Sequence, residues 1–496
     1  MPNRLRSLVL LILLLSLAAA AEAKSAKKKS AKAAPNPLVE TQHACARCLR
    51  AHLDFLASDA LRGRGSATPD ETIAATYIAA QFELYGVPPA SEKGYLQTAE
   101  IDTPKLAAPP TLSFTANNQT VTWTHGKEFI LSRSSSKPAS GPLQKLPPEG
   151  GQVKSGAVVL WEVDTNTDPR GWGMKLFGFL QSGAAAVMVR ASKQSLEKWD
   201  SMTQERPMFT QAVVDAGPSS MRGIERDVVT LRPAAAQQLD QLPEGTTISL
   251  ATSLGEPKRE YTTNVVAIIH GTEPNADQDV ILLTAHLDHL GMGTPANGGP
   301  NRKGPDGKID NIYNGACDDA SGTATVLDLA RAIAAGPKPK RTVLFALFGS
   351  EELGGLGSTY FLSHSPVPLA DITANLEFEM LAWPDPKLGH DQLWITGYDR
   401  TDFGPELARH GANLTADPYP TQQFFQRSDN YILAKKGVVA QTIGSFGLQK
   451  EYHSPDDDLA HVDWDHYVTA VDSLIAPVQW LINSSFKPQW LEGKKP

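Results

Sequence analysis

Residues 341–358 read RTVLFALFGSEELGGLGS: an apolar run that ends in two adjacent glutamates and then a glycine-rich turn. The unbroken apolar residues Val343 to Phe348 are too few for an independent helix and do not alternate with polar ones, so they fit a strand buried on both faces. Glu351 and Glu352 leave that strand side by side, where desolvation and like-charge repulsion both raise their cost. Consecutive side chains on a chain leaving a strand point in roughly opposite directions. Glu352 can therefore face a bound cation, which offsets its charge, while Glu351 faces the substrate side as a base.

Working outward, TNVVAIIHG (263–271) and DVILLTAH (279–286) read as further buried strands. Ser321 to Ile333 places Val326, Leu329, Ala330 and Ile333 at helical spacing, and DHYVTAVDSLIAPVQWLI (465–482) supplies a closing helix. Near the amino end, HLDFLASDALRGRGS (52–66) reads as a helix and an arginine/glycine loop. Thr68 follows as cap, Pro69 as first helical residue and Glu71 as capping-box partner, with Ala74, Ile78, Phe82 and Tyr85 on one face until Gly86. This alternation predicts an α/β domain with helices on both faces of a sheet. Residues 125–255 differ, with short apolar runs such as GAVVLWEV (156–163) and GAAAVMV (183–189) between Pro, Gly, Ser and Asp clusters. They read as a β-rich module with a helix or two, inserted into the larger domain.

At 496 residues the chain is too long for one ordinary core. A formal net charge of −8 argues against a general nucleic-acid binder. Arg4 and Arg6, the apolar run Leu8 to Leu17, and Ala21-Glu22-Ala23 have the order of a secretory signal peptide, and the run is too short to span a bilayer comfortably. Loss of residues 1–23 removes two arginines and one glutamate and takes the charge to −9. The following KSAKKKSAKAAPNP has no apolar face and reads as a disordered tether. Of the three cysteines, Cys45 and Cys48 form either a small local disulfide or two plain thiols, with no second CxxC to complete a zinc site.

Ligands of open α/β sheets bind beyond the carboxyl ends of the strands. Polar clusters in such places are ILLTAHLDH with His286, Asp288 and His289; NGACDDASG with Asp318 and Asp319; the Glu351/Glu352 pair; NLEFEML with Glu377 and Glu379; and, late in the chain, EYHSPDDD with His453. Each alone has an ordinary explanation in capping or solvation. Together they offer imidazoles and carboxylates without a thiolate pair, a set that suits zinc in a hydrolytic site. Asp288 can accept the second ring N–H of His286 and hold its tautomer.

In order, AHLDHLG, NIYNGACDDASGTATVLDLARA, RTVLFALFGSEELGGLGS, NLEFEM and YHSPDDD resemble the motifs of the co-catalytic zinc peptidases that include bacterial leucyl aminopeptidases and plasma glutamate carboxypeptidases. The resemblance covers residues 45–485, and SGAVVLWEV, GAAAVMV and VVTLRPAAAQQL resemble a protease-associated domain. It implies a three-layer α/β/α peptidase domain with a mixed, largely parallel sheet over residues 41–124 and 256–486, and a protease-associated domain over 125–255. Outside these lie a signal peptide at 1–23, a tether at 24–40 and a tail at 487–496. Two zinc ions per chain are implied, bridged by Asp318, with His286 and Glu379 completing one site and Glu352 and His453 the other. Glu351 would be the general base and acid. Many relatives carry Asp at the positions of Cys317 and Glu379, and Glu377 stays open as the alternative ligand. Asn430 in RSDNYILAKKG stands where relatives often have His, and residues 295–310 form a longer loop near the site entrance.

The expectation is an exported exopeptidase acting on peptides, secreted or periplasmic, with no membrane span after signal cleavage and no nucleic-acid partner. Aminopeptidase action is favoured over a carboxypeptidase or dipeptidase on the same centre, then over a glutaminyl-cyclase-like transferase and a catalytically dead receptor-like module. Oligomeric state stays open.

Overall fold

Unbroken apolar strands need cover on both faces, and the computed structural model provides it. It describes residues 39–135, 137–163, 175–176, 178–204, 208–209, 211–218, 226–293, 307 and 309–496. The expected signal peptide, nearly all of the tether and most of the 295–310 loop lie outside these residues.

Helices α1 (Ala46–Leu56) and α2 (Pro69–Tyr85) precede strand β1 (Leu96–Thr103). After the second module come β2 (Lys258–Ile269), β3 (Val280–His286), α3 (Gly322–Ala335), β4 (Thr342–Phe348), β5 (Ile372–Phe378), β6 (Leu393–Ile395), β7 (Leu414–Ala416), β8 (Val439–Gly444) and α4 (Trp464–Asn483). Within one mixed sheet the order is β1-β2-β4-β3-β5-β8-β6-β7, extended beyond β1 by two short strands at 212–213 and 217–218. Parallel pairing holds the centre, β4-β3-β5-β8, and recurs between β6 and β7, while the remaining pairs are antiparallel.

Alternate residues of the central strands serve two cores. Val265, Ile281, Leu283, Val343, Phe345 and Leu376 pack beneath α1 to α4. Val266, Leu282, Leu344, Phe348 and Ala440 meet Phe361 and Leu433 from the short helices Leu356–His364 and Asn430–Lys435. Helix α2 starts at Pro69 and stops at Gly86, whose φ of +74° suits a residue without Cβ. The expected capping box does not form. Thr68 Oγ1 donates to the Gly65 carbonyl, and buried Glu71 accepts from Ala67 N, Thr263 N, Thr262 Oγ1 and Ser350 Oγ. This side chain serves tertiary structure instead of its own helix.

The second module is a nine-stranded sheet with apolar side chains on both faces. Its edge is earlier than expected. Strands Leu106–Ala116 and Gln119–Thr124 pair into this sheet, so the boundary falls between β1 and residue 106 instead of at 124/125. Separation is incomplete, because residues 212–218 return to pair beside β1. The expected tail is also part of the body: Leu491 N bonds Arg400 O, and Trp490 Nε1 bonds Gly437 O. Cys45 and Cys48 are joined as a disulfide, and Cys317 is a buried free thiol. No helix among the described residues is long and apolar enough to cross a membrane.

Candidate metal centre

Because β3, β4 and β5 run parallel, their carboxyl ends open on one edge, with His286 in register with Phe348. His286 closes β3, Glu351 and Glu352 follow β4, and Glu379 follows β5. Asp318 sits just before α3, where Gly322 comes so close to the end of β5 that a Cβ there would strike the Phe378 carbonyl oxygen. A long loop after β8 brings in His453, held at φ +54°.

These side chains converge. His286 Nε2 lies 3.1 Å from Asp318 Oδ1, and ligating atoms of His286, Asp318 and Glu379 lie within 4.8 Å of one another. On the other side of Asp318, His453 Nε2 is 3.1 Å from its Oδ2 and 3.2 Å from Glu352 Oε1. The other four expected ligands therefore meet around Asp318, and Glu379 is the glutamate at the centre. Glu377 accepts from Ser428 Oγ, Asn430 N and Thr442 Oγ1, which engages it away from the cluster. Asn430 Nδ2 donates to the Phe425 and Ala440 carbonyls.

Asp288 does something other than expected. Its Oδ1 is 3.7 Å from His286 Nδ1, without a hydrogen bond. Instead it accepts from Glu351 N at 3.0 Å, Glu352 N at 3.3 Å and Ser66 Oγ at 2.5 Å, so it fixes the turn that carries the glutamate pair. Asp319 and Asp457 likewise serve backbone: Asp319 accepts from Gly322 N and Met380 N, and Asp457 from Cys317 N and Asp318 N. Their neighbour Asp318 is left to the centre.

Burial, reinforced by the Glu352 charge, lifts the Glu351 carboxyl well above the usual range, and burial lifts Glu379 to about 7. At Glu352 burial pulls upward too, yet His453 and His289 hold it well below the ordinary value. Both ring nitrogens of His286 are buried without a hydrogen-bond partner. Leaving an imidazole so costs a few kcal/mol. A divalent cation bound by these donors would satisfy it and offset the clustered carboxylate charge. Nitrogen and carboxylate oxygen donors at this density fit zinc.

Two groups near the centre had no role assigned from sequence, although His289 stood among its polar clusters. His289, three residues after His286, brings Nδ1 to 2.9 Å from Glu352 Oε1; the H-x-D-H spacing was the signal. Beside Glu379, a small cavity of about 40 Å³ is walled by Trp394, Phe424, Phe446 and Tyr452, with Arg427 at its side. Those aromatic residues come from separate segments, and nothing local in the sequence marked them.

Residues 264–477 match the model of Peptidase family M28. The chain is 22% identical to Aminopeptidase YwaD of Bacillus subtilis over 43% of its own length and 44% of the relative. It is 30% identical to the probable leucine aminopeptidase 2 of Aspergillus oryzae over 48% and 44%. It thus spans less than half the length of these curated relatives. In fold, it resembles an aminopeptidase from Aneurinibacillus sp. strain AM-1, with TM-score 0.53, 18% identity and coverage of 91% of this chain and 97% of that one. The segment similar to the M28 family model holds every residue that converges on Asp318.

Proposed function

We propose that this chain is an exported zinc-dependent exopeptidase that releases amino-terminal residues from peptides. The observation that carries it is the convergence of His286, Glu379, Glu352 and His453 on the two oxygens of Asp318, with Glu351 beside them. His286 and Glu379 would hold one zinc ion, Glu352 and His453 a second, with Asp318 shared. When bound, the ions supply Lewis acidity toward the scissile carbonyl and make water acidic enough to react near neutral pH. Glu351 takes the proton of the attacking water and returns it to the departing amine. Asp288 holds the Glu351 backbone in place, which orients that carboxylate. The aromatic cavity beside Glu379 suits an apolar side chain of the terminal residue.

A second reading has one observation in its favour. The exposed Arg427 guanidinium lies over the Phe424 ring, 5.1 Å from its centroid, in the same cavity. A guanidinium suits a substrate carboxylate, which a carboxypeptidase or dipeptidase would present.

The test is a panel of amino-terminal and carboxyl-terminal reporter peptides, assayed before chelation, after it, and after zinc return. Amino-end release that disappears on chelation and returns with zinc supports the first reading. Carboxyl-end release moves the assignment to the second, and cleavage indifferent to chelation overturns both.

A further inference from the structure

We propose that His289 is an additional protein ligand of the Glu352/His453 metal position, binding through Nδ1. The inference rests on the two-zinc reading of the centre.

The ring is fully buried on the loop that follows β3. It is pressed against the segment that delivers Asp318: a Cβ on Gly315, at φ +61°, would stand 2.6 Å from Cγ and Cδ2 of His289. Its backbone is pinned as well, with His289 N donating to Arg64 O and its carbonyl accepting from Ser66 N. The imidazole therefore has one place to face. Nδ1 stands 2.9 Å from Glu352 Oε1 and 3.8 Å from Asp318 Oδ2, and the ring lies 5.7 Å, centroid to centroid, from that of His453.

Neither ring nitrogen makes a hydrogen bond, although Nδ1 is within hydrogen-bonding distance of a carboxylate oxygen. Close approach without alignment is what two ligands of one ion show, because each points at the ion and not at its neighbour. His286 has the same relation to Asp318 at 3.1 Å, again without a hydrogen bond. The histidine pair His390 and His466 provides the contrast. His390 is engaged by Asp391 at 2.6 Å and Asp463 at 3.0 Å, and His466 by the His390 carbonyl and Ser445 Oγ. A buried imidazole that makes no aligned hydrogen bond and faces two carboxylates is placed to hold a cation.

Two neutral imidazoles at one position and one at the other would make the pair unequal, with the second ion the more firmly held. The full chain loaded with Co²⁺ tests this by proton NMR. Each cobalt-bound histidine contributes one strongly shifted, solvent-exchangeable ring N–H signal. Three such signals are expected from His286, His289 and His453, and His289→Gln should lose one of them. Chelator competition on His289→Gln should show one of the two ions weakened by at least the about 10–100-fold seen when a mere supporting partner is lost. Two signals in the unmodified chain with two Co²⁺ bound would overturn the His289 assignment and leave the two-metal reading standing. Failure to take up two ions would overturn both. Because the signal count is read on the unmodified chain, misfolding of His289→Gln does not remove the test.

Discussion

Among the described residues, two sheets have parallel strands buried on both faces, and only one of them carries a candidate metal centre. In the second module, buried Asp227 opens the strand Asp227–Leu231 and is held by Ser135, from N at 2.8 Å and Oγ at 3.2 Å. In the α/β domain, buried His286 closes β3 with neither ring nitrogen hydrogen-bonded, among carboxylates gathered from four segments. Burial of a polar group is common to both. What separates structure from site is whether neighbouring protein atoms satisfy the buried group.

The sharpest way to break that distinction is at Glu351. Glu351→Gln should lower kcat by about 10³-fold, as loss of a general base does, while zinc content stays at the unmodified level. Retained turnover would return Glu351 to the ordinary solvated class.

His52 is the satisfied counterpart of His286 within the same domain: buried in α1, it bonds Tyr77 Oη at 3.0 Å and Tyr85 Oη at 2.9 Å. Burial lowers its pKa from 6.5 to about 4. Between those values the unfolded chain binds a proton that the folded chain refuses. Its contribution to stability is therefore complete above pH 6.5 and falls away as pH drops toward 4, by on the order of 3 kcal/mol. Denaturant titrations at pH 7 and pH 4.5 should show a smaller pH-dependent loss in His52→Gln than in the unmodified chain; equal losses would refute the assignment.

Asp288 sharpens the comparison from inside the centre, since it is satisfied by backbone donors and acts through the glutamates it holds. Asp288→Asn should cost about 10–100-fold in kcat with little change in KM, because its amide nitrogen cannot accept and one of the bonds from Glu351 N and Glu352 N is lost. A variant that binds zinc normally and keeps full kcat would make Asp288 a packing residue. The smallest effect belongs to the second module, where Asp227→Asn should lose about 1–2 kcal/mol of stability and leave peptide cleavage within twofold. A large loss of activity there would couple the two sheets.

Much of the α/β domain was legible because two-sided burial forces strands to be largely apolar, as Val280–Leu283 and Val343–Phe348 are. The module boundary was hidden by Pro109 and Pro110 within the strand Leu106–Ala116, since proline cannot donate to a ladder and argues against strand from sequence. Glu71 misled in the opposite direction, because its spacing from Thr68 fits a capping box that tertiary partners outcompeted.

By itself the sequence determined which residue types stand at the strand ends, and so the donor chemistry, while the family resemblance implied His286, Asp318, Glu352, His453 and one of Glu377 and Glu379 as the set. Direction was decided only in three dimensions. Which of Glu377 and Glu379 meets Asp318, whether Asp288 serves a ring or a turn, and where the His289 ring faces all depend on chain segments tens to hundreds of residues away. Spacing along a chain fixes which groups are near in sequence, whereas the partners that satisfy a buried polar atom are set by the packing of distant segments around it.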